Sequence, residues 1–242
     1  MSESTLRIGL VLPDVMGTYG DGGNALVLKR RAIMRGIDAE VVHITLDDPV
    51  PNSLDVYTLG GAEDYAQRLA TRHLTRYPGL QQAAAAGRPV LAICAAIQVL
   101  GHWYETSAGE RVDGISLFDL TTAPQEKRSI GELVTEPTLA ALTQPLTGFE
   151  NHRGGTTLGS DAKPLGRVKH GVGNGVGVGD GTEGVVQGSA LGTYMHGPAL
   201  ARNPELADHL LATAVGVESL APLDLPEVSR LRKERLAAGR RR

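Results

Sequence analysis

The chain has 242 residues, of which 41% are hydrophobic and 21% charged, and its formal net charge is -3. These values are typical of one or two compact domains, not of a disordered protein, and they give no general attraction to nucleic acid or anionic membranes. No apolar run approaches the roughly 20 residues that a membrane-spanning helix needs. The N-terminal segment lacks the basic and apolar parts of a signal peptide, so we expect a cytoplasmic protein with no membrane span.

The sequence contains a single cysteine, Cys94. One cysteine cannot form an intramolecular disulfide, and a zinc site built from several cysteines is also excluded. A lone cysteine is often no more than a small buried hydrophobic residue. Its role therefore has to be judged from the residues around it.

The first half of the chain alternates strand and helix patterns, which is typical of a parallel sheet covered by helices on both faces. Short apolar runs predict the strands, and longer runs with apolar residues at helical spacing predict the helices. A Gly-rich turn, YGDGGN, separates the first strand from the first helix. The predicted strands are residues 6–12, 39–44, 56–59 and 89–93, and the predicted helices are residues 25–36, 63–86 with a break near Pro78, and 95–105.

The second half changes character, because Gly and Thr become frequent and helical patterns few. We interpret residues 112–186 as β-hairpins and loops, with a glycine-dense stretch from Gly171 to Gly181 that is either a loop or a tight hairpin. Strand character returns over residues 185–195. The pair Asn203-Pro204 predicts the start of a helix, with Asn as N-cap and Pro in the first turn.

The sequence divides into one predicted domain, residues 1–225, and a charged tail, residues 226–242. The tail is interpreted as a solvated or frayed terminal helix, with a partner-docking element as the alternative. No stretch matches the P-loop pattern G-x-x-x-x-G-K-[ST], so the sequence gives no sign of ATP binding through that motif. The alternating glycines between 171 and 179 are not a dinucleotide fingerprint either, because no helix pattern follows them.

Cys94 lies between a predicted buried strand and a predicted helix, in the segment RPVLAICAAIQVLG. Ala92 and Ala96 stand two residues before and after it, which is the small-x-nucleophile-x-small pattern of a nucleophile elbow. Such an elbow projects its side chain at the carboxyl end of the strand, where open α/β sheets bind ligands. The N-terminus of the following helix favours the reactive thiolate.

His196 is the best candidate for a proton shuttle to such a thiolate. It follows the predicted strand segment ALGTYM and precedes Gly197-Pro198, so it stands at a strand end that can share a sheet edge with Cys94. The alternative is a loop or core histidine whose hydrogen bonds are satisfied.

An oxyanion formed on a substrate carbonyl would need backbone N–H donors beside Cys94. Ala95, at the start of the helix, offers one. Gly60 or Gly61, at the end of the third strand, offers another, since glycine lets the backbone approach a ligand closely. A Gly-Gly pair is equally consistent with an ordinary turn between a strand and a helix.

Several motifs together resemble the class I, triad-type glutamine amidotransferases, and within them the cobyric-acid-synthase-like branch. The motifs are LGGAEDYAQ, LAICAAIQVLG and TYMHGP, in this order, supported by YGDGGNALVLKRRA near the N-terminus and GFENHRGGT in the middle. The resemblance covers nearly the whole chain and is strongest to the glutaminase subunits of lipid II isoglutaminyl synthases. The combination is specific, although each motif alone is not.

The resemblance implies a flavodoxin-like sheet and hydrolysis of L-glutamine through a γ-glutamyl thioester. Carried over by position, the nucleophile is Cys94, the base is His196, and the oxyanion region is Gly60, Gly61 and Ala95. The resemblance also implies that Arg128 binds substrate, because a guanidinium suits the α-carboxylate of glutamine; a surface arginine between hairpins is the alternative. Further substrate-side positions implied by the resemblance are Gln98, Glu150, Asn151 and His152.

Two positions depart from the pattern of the family. Many class I members carry a Glu two residues after the catalytic His, and here that position is Pro198, which cannot orient an imidazole. Either another group orients His196, Glu150 being one candidate, or a Cys–His dyad suffices. The elbow also has Ala95 and Ala96 where relatives often have glycine, which tightens the oxyanion geometry.

The resemblance further implies a heterodimer with a Mur-ligase-like synthetase subunit. We expect no cofactor and no metal in this chain, and we expect the partner to bind ATP and Mg²⁺. The partner would activate the D-glutamate carboxylate of the lipid II stem peptide, and ammonia from this chain would convert it to D-isoglutamine in peptidoglycan biosynthesis. Two alternatives are a glutaminase for another acceptor, such as a corrin carboxylate, and a non-catalytic amidotransferase-like scaffold in which Cys94 is merely buried.

Overall fold

The computed structural model of the chain describes residues 5–175 and 181–239. Within these ranges the strands form two sheets, and helices pack against the first of them. The strands are β1 (Leu6–Val11), β2 (Ala39–Ile44), β3 (Val56–Leu59), β4 (Val90–Ile93), β5 (Trp103–Glu105), β6 (Arg111–Asp113), β7 (Leu120–Pro137), β8 (Leu146–Leu158), β9 (Gly166–His170), β10 (Thr182–Glu183), β11 (Val185–Gln187) and β12 (Ala190–Thr193). The helices are α1 (Gly23–Ile33), α2 (Asp64–Arg76), α3 (Gly79–Ala85), α4 (Ala95–Leu100), α5 (Ala199–Arg202), α6 (Pro204–Val215) and α7 (Pro226–Gly239).

The first sheet has the strand order β11-β12-β4-β3-β1-β2. Strands β2, β1, β3, β4 and β12 run parallel, and β11 pairs antiparallel with β12 at the edge. Counting only its parallel strands, this is the 2-1-3-4-5 order of a flavodoxin-like sheet, with the fifth strand supplied from late in the chain. The predicted α/β fold with a flavodoxin-like, mostly parallel sheet is confirmed.

The central strands of this sheet are apolar and buried along their whole length, as expected where both faces of a sheet are covered. Two groups of helices provide the cover: α1, α5 and α6 pack on one another, and α2 packs against α4. The long helical stretch predicted before β4 is divided at Pro78 into α2 and α3, as expected, because proline lacks the N–H that would continue the first helix.

The second sheet accounts for the β-rich second half that the sequence predicts. Its order is β10-β9-β7-β5-β6, and β8 pairs with β7. Strands β7 and β8 form a long antiparallel pair whose register shifts between Pro124 and Ser129. The same β8 reaches the first sheet through a backbone bridge between Phe149 and His196, so the second sheet is fixed against the carboxyl end of the first.

One predicted helix is shorter than expected. Helix α4 ends at Leu100, whereas the prediction extended to residue 105, and Trp103–Glu105 form β5 instead, paired with β6 and β7. Gly101 explains the break, because its backbone is extended and a Cβ there would lie 2.4 Å from the side chain of Leu120. The helical spacing of the apolar residues is overridden by pairing in the second sheet.

The last helices are anchored in a way that the sequence did not indicate. Helix α6 begins after Asn203, as predicted, but the Asn203 side chain makes no capping hydrogen bond. Its Oδ1 accepts the N–H of Thr147 at 2.9 Å and so links α6 to β8. The charged tail contains α7, whose Arg232 donates to the carbonyl of Pro145 at 2.9 Å.

Two predicted features fall partly outside the described residues. Of the glycine-dense stretch, residues 176–180 lie outside the described ranges, and so do residues 240–242 at the end of the tail. Over the ranges that are described, none of the helices combines the length and the apolar character needed to cross a bilayer.

Candidate active site

Cys94 occupies a sharp turn between β4 and α4. Its backbone has φ 53° and ψ -111°, a strained combination for a residue with a side chain. The Cys94 N–H donates to the carbonyl of Thr193 at 2.9 Å, and the neighbouring Ala95 and Ala96 are buried. This is the geometry of a nucleophile elbow, which projects the side chain beyond the end of its strand.

His196 lies beside this elbow because its strand is the neighbour of β4. Strands β4 and β12 are parallel, with Ile93 opposite Thr193, so the residues that follow them emerge at the same edge of the sheet. The His196 N–H donates to the carbonyl of Phe149 at 2.9 Å, which ties its backbone to β8. The structure therefore brings together the two side chains that the sequence selected as nucleophile and proton shuttle.

Asp21 completes the arrangement. Both of its carboxylate oxygens lie 3.1 Å from Nδ1 of His196, and its side chain is fully buried. The carboxylate also accepts the N–H of Gly61 at 2.9 Å. Asp21 thus occupies the orienting position that Pro198 cannot fill.

The sequence analysis missed Asp21, although a signal was present. Asp21 lies in the Gly-rich turn YGDGGN, which follows β1 and was interpreted only as a turn. Strand β1 belongs to the same parallel sheet as β4, so the turn after it opens at the same edge. An acidic residue at the carboxyl end of a central strand was therefore a candidate on topological grounds.

The electrostatic environment of His196 favours the imidazolium. Burial by itself lowers the pKa of His196, but the hydrogen-bonding and charge interactions with Asp21 and Cys94 outweigh it and raise the pKa to about 10. The Nε2 atom is buried and makes no hydrogen bond of normal geometry with the described residues.

A cavity of about 300 Å³ opens beside Cys94. It is a size that accommodates a small amino acid at the carboxyl end of the sheet. Five further predicted site residues line it: Ala95, Gln98, Arg128, Asn151 and His152. Tyr19 also lines it and packs its ring against that of His196, with centroids 4.9 Å apart.

Two predicted oxyanion residues are placed differently. Gly60 and Gly61 do not line the cavity, which is bounded there by Ala62. The Gly61 N–H is directed to Asp21, so in this structure it supports the carboxylate that orients His196 and is not free for an oxyanion. Of the three predicted oxyanion positions, Ala95 lines the cavity, and as the first residue of α4 it has an N–H without an intrahelical partner.

Glu150 is also placed differently from its prediction. It does not line the cavity beside Cys94, and it does not contact His196 as a third triad member would. Its two carboxylate oxygens accept the N–H groups of Val172 and Gly173 at 2.8 and 2.9 Å. The carboxylate therefore fixes the start of the glycine-dense stretch against β8.

Behind one wall of the cavity, that formed by His152, lies a packed polar layer. His152 donates from Nδ1 to the carbonyl of Gly154 at 2.9 Å and stacks on Tyr194, with ring centroids 3.9 Å apart. The hydroxyl of Tyr194 lies 2.6 Å from that of Thr156, and burial raises the pKa of Tyr194 to about 12. These contacts hold the wall in one arrangement.

Charges around the cavity are divided between two groups of elements. Glu63, Asp64 and Glu105 come from the start of α2 and from β5, whereas Arg128 and Arg153 come from β7 and β8. The Nε of Arg128 donates to the side chain of Asn151 at 2.7 Å, which fixes the direction of the guanidinium. The cavity is therefore lined by charges of both signs, which suits a zwitterion.

No group of His, Cys, Asp and Glu suited to holding a metal ion occurs among the described residues. The groups that surround Cys94 are a histidine, a carboxylate and backbone amides. Such a set carries out acyl transfer through a cysteine thioester without further reagents besides water.

The fold and the site define a class of cysteine hydrolase with a Cys–His–Asp arrangement on a flavodoxin-like sheet. The model of the CobB/CobQ-like glutamine amidotransferase domain matches residues 7–204 of this chain. The chain belongs to this family, and it is an enzyme of the glutamine amidotransferase type.

Two curated relatives match over most of their length. The chain is 36% identical over 211 residues to the lipid II isoglutaminyl synthase (glutamine-hydrolyzing) subunit GatD of Staphylococcus aureus, covering 86% of this chain and 84% of the relative. It is 34% identical over 238 residues to the subunit of the same name from Streptococcus pneumoniae, covering 96% of this chain and 89% of the relative.

Among solved structures, the glutaminase domain of Trypanosoma brucei CTPS with bound acivicin superposes with a TM-score of 0.53 at 10% identity, covering 93% of this chain and 99% of that one. The last similarity concerns the fold alone.

Proposed function

We propose that this chain is the glutaminase subunit of a lipid II isoglutaminyl synthase. It would hydrolyse L-glutamine through a thioester on Cys94 and deliver ammonia to a Mur-ligase-like partner. The observation that carries the proposal is the convergence of Cys94, His196 and Asp21 at one end of the sheet, beside a cavity of amino-acid size. The two relatives matched over most of the chain carry this function in their names.

In the first step the Cys94 thiolate attacks the side-chain amide carbon of glutamine. The carbonyl oxygen becomes an oxyanion, for which the Ala95 N–H at the start of α4 is a donor. His196, which is protonated at neutral pH because its pKa is raised to about 10, gives its proton to the departing nitrogen. The C–N bond breaks, ammonia leaves, and a γ-glutamyl thioester remains on Cys94.

In the second step His196 acts as a base. Now neutral, it removes a proton from a water molecule, and the resulting hydroxide attacks the thioester carbon. The C–S bond breaks, which releases glutamate and restores the thiolate and the imidazolium. Asp21 stabilises the imidazolium in both steps and keeps Nδ1 directed away from the substrate.

The charges around the cavity explain how glutamine would be recognised. The Arg128 guanidinium, held by Asn151, would bind the α-carboxylate. Glu63 and Glu105, which also line the cavity, would provide negative charge for the α-ammonium. Gln98, which lines the cavity, would contact the side-chain amide.

The chemistry of ammonia explains why a docked partner is needed. Free ammonia is mostly protonated near neutral pH and is then no nucleophile, so its transfer needs a protected path. We propose a cytoplasmic heterodimer in which the partner binds ATP and Mg²⁺ and activates the D-glutamate carboxylate of the lipid II stem peptide as an acyl phosphate. Amidation by ammonia then gives D-isoglutamine, and we expect the glutaminase to be slow until the partner is docked.

The experiment is glutamine hydrolysis by the full chain co-purified with its native partner. Cys94→Ser and His196→Ala are each expected to reduce kcat by roughly 10³-fold or more, because the thioester route is then lost. His209→Ala removes another partly buried histidine, on α6, and is the matched control that should keep wild-type activity. Wild-type activity in Cys94→Ser would reject the proposal.

The acceptor is tested separately. Lipid II with a D-glutamate stem is expected to be amidated in a glutamine-dependent reaction by the complex. Amidation of a corrin carboxylate by a P-loop partner would support the alternative acceptor. A complex in which neither acceptor is amidated and Cys94 takes no covalent label would support the scaffold reading.

A further inference from the structure

Glu183, the last residue of β10, is a carboxyl group completely removed from solvent. Its Oε1 accepts the hydroxyl of Thr193 at 2.7 Å and the N–H of Tyr194 at 2.8 Å. Thr193 is the last residue of β12, in the first sheet, and Tyr194 follows it directly. One oxygen atom of Glu183 therefore joins the second sheet to the strand that leads into His196.

The anchored segment lies between the two reacting side chains. The carbonyl of Thr193 accepts the N–H of Cys94 at 2.9 Å, and the Thr193 hydroxyl accepts the N–H of Met195 at 3.1 Å. Strand pairing with β4 stops at Thr193, so the N–H of Tyr194 has no strand partner and depends on Glu183. Through this segment, Glu183 sets the backbone on which both Cys94 and His196 are held.

Burial of the Glu183 carboxyl group is energetically unfavourable for its charged form. Its other oxygen, Oε2, makes no hydrogen bond with the described residues, and burial raises the pKa of Glu183 to about 7. The charged group that faces it is Glu150 of β8, which adds repulsion. On β9 the residue opposite is Gly166, and the neighbouring Arg167 is exposed, so no cation compensates from that strand.

One residue, Asn174, holds both chain neighbours of Glu183 in place. The N–H of Asn174 donates to the carbonyl of Thr182 at 2.9 Å, and the Asn174 Oδ1 accepts the N–H of Gly184 at 2.8 Å. Asn174 is itself fully buried. Glu183 is thus held in position by the backbone on both sides, and its carboxyl group accepts two hydrogen bonds. Such a buried polar network favours one specific arrangement of the residues it joins.

We infer that Glu183 is a positioning residue of the glutaminase site, which clamps residues 193–195 so that Cys94 and His196 face each other. The inference rests on the proposed function, because its consequence is a rate of glutamine hydrolysis. Glu183 itself touches neither substrate nor reacting atoms. Its removal should therefore change the rate of the chemical step and leave glutamine binding, which involves Arg128 on β7, largely unchanged.

The test compares Glu183→Met with Glu183→Gln in the full chain co-purified with its partner. Methionine has similar length but no acceptor for Tyr194, and it is expected to lower kcat at least about tenfold with KM within about twofold of wild type, because small misplacements of catalytic groups are costly. Glutamine keeps the accepting oxygen and is expected to restore kcat to within about twofold of wild type.

Asp208→Ala is the matched control, because it removes a partly buried carboxylate that also joins two elements. Asp208 of α6 binds Arg31 and Arg35 of α1 at 2.7 Å each, away from the cavity. It should lower thermal stability without changing kcat per folded enzyme. Equal loss of kcat in Asp208→Ala and Glu183→Met would overturn the inference, since stability alone would then explain the effect.

A second pair keeps the inference testable if Glu183→Met does not fold. Thr193→Val removes the hydroxyl that donates to Glu183, and Thr193→Ser retains it. We expect the valine variant to lose kcat and the serine variant to keep it; equal kcat in the two would overturn the clamp. If wild-type enzyme does not hydrolyse glutamine at all, the proposed function fails, whereas an active wild type with a fully active Glu183→Met refutes only the clamp.

Discussion

At the scale of single residues, the Asp21 carboxylate joins His196 to the connection after β3, because it contacts His196 Nδ1 and also accepts the Gly61 N–H. Asp21→Asn should reduce kcat about a hundredfold with little change in KM, because an amide can neither stabilise the imidazolium nor select its tautomer. Asp14→Asn is the control from the same connection between β1 and α1, since Asp14 only accepts the N–H of Leu46. Steady-state glutamine hydrolysis measures both variants, and equal activity would show that a Cys–His dyad suffices.

Gly61 is a second residue whose size matters for the site. A Cβ there would lie 3.0 Å from Cε1 of His196 and 3.2 Å from the ring of Tyr19. Gly61→Ala is expected to displace the imidazole and to lower kcat about tenfold. Gly22→Ala adds a Cβ in ordinary contact with Leu10 and should be neutral; the same rate for both variants would argue against a tightly fitted ring.

Arg128 tests the recognition of the substrate carboxylate. Arg128→Lys removes the guanidinium fork and should raise the KM for glutamine about tenfold, with kcat within about threefold. Arg111→Lys, in which an exposed arginine stacked on Trp103 is changed, is the control. An unchanged KM in Arg128→Lys would favour the alternative, a surface arginine with no part in substrate binding.

The sequence predicts the positions of some site residues better than those of others. Cys94 and His196 were identifiable because each follows a buried strand directly, so its position at the sheet edge comes from local pattern. Asp21 lies 175 positions from His196 in a turn whose glycines dominate the pattern, and only the strand order relates the two. The position of Glu150 was not predicted, because its carboxylate binds the backbone N–H groups of Val172 and Gly173. The sequence pattern does not show that these loop residues lie next to Glu150.

At the scale of elements, β10 and β12 are joined by a group whose charge state affects stability. The folded protein raises the pKa of Glu183 from 4.5 to about 7. A raised carboxyl pKa means that the folded state holds its proton more tightly than the unfolded chain. The contribution of Glu183 to the free energy of unfolding is therefore fully present below its pKa in the unfolded chain. It is lost as the pH rises through its pKa in the folded protein.

The free energy of unfolding should therefore fall between about pH 5 and pH 8 in the wild type, by on the order of 3 kcal/mol from Glu183. In Glu183→Gln this contribution is absent, and His196 contributes equally to both proteins, so their difference isolates the carboxyl group. Urea unfolding at several pH values gives the comparison. Parallel pH profiles would contradict the raised pKa of Glu183.

At the scale of the whole molecule, the parallel sheet was predictable and the second sheet was predictable only in character. Strands β1 to β4 follow from short apolar runs, and the flavodoxin-like arrangement of the sheet was implied by the resemblance to the amidotransferases. Pairing of β5 with β7, the register shift near Pro124 and the bridge between Phe149 and His196 depend on contacts distant in sequence. The same distant pairing ended α4 earlier than its apolar spacing predicted.

The two sheets together form the site, since the elbow belongs to the first sheet and strands β5, β7 and β8 of the second sheet supply part of the cavity wall. The most direct measurement is covalent labelling by 6-diazo-5-oxo-L-norleucine, an electrophile that mimics glutamine, followed by peptide mass mapping of the full chain with its partner. We predict a single adduct on Cys94, formed more slowly in Asp21→Asn and His196→Ala. Continued glutamine hydrolysis with no adduct on Cys94 would contradict the account.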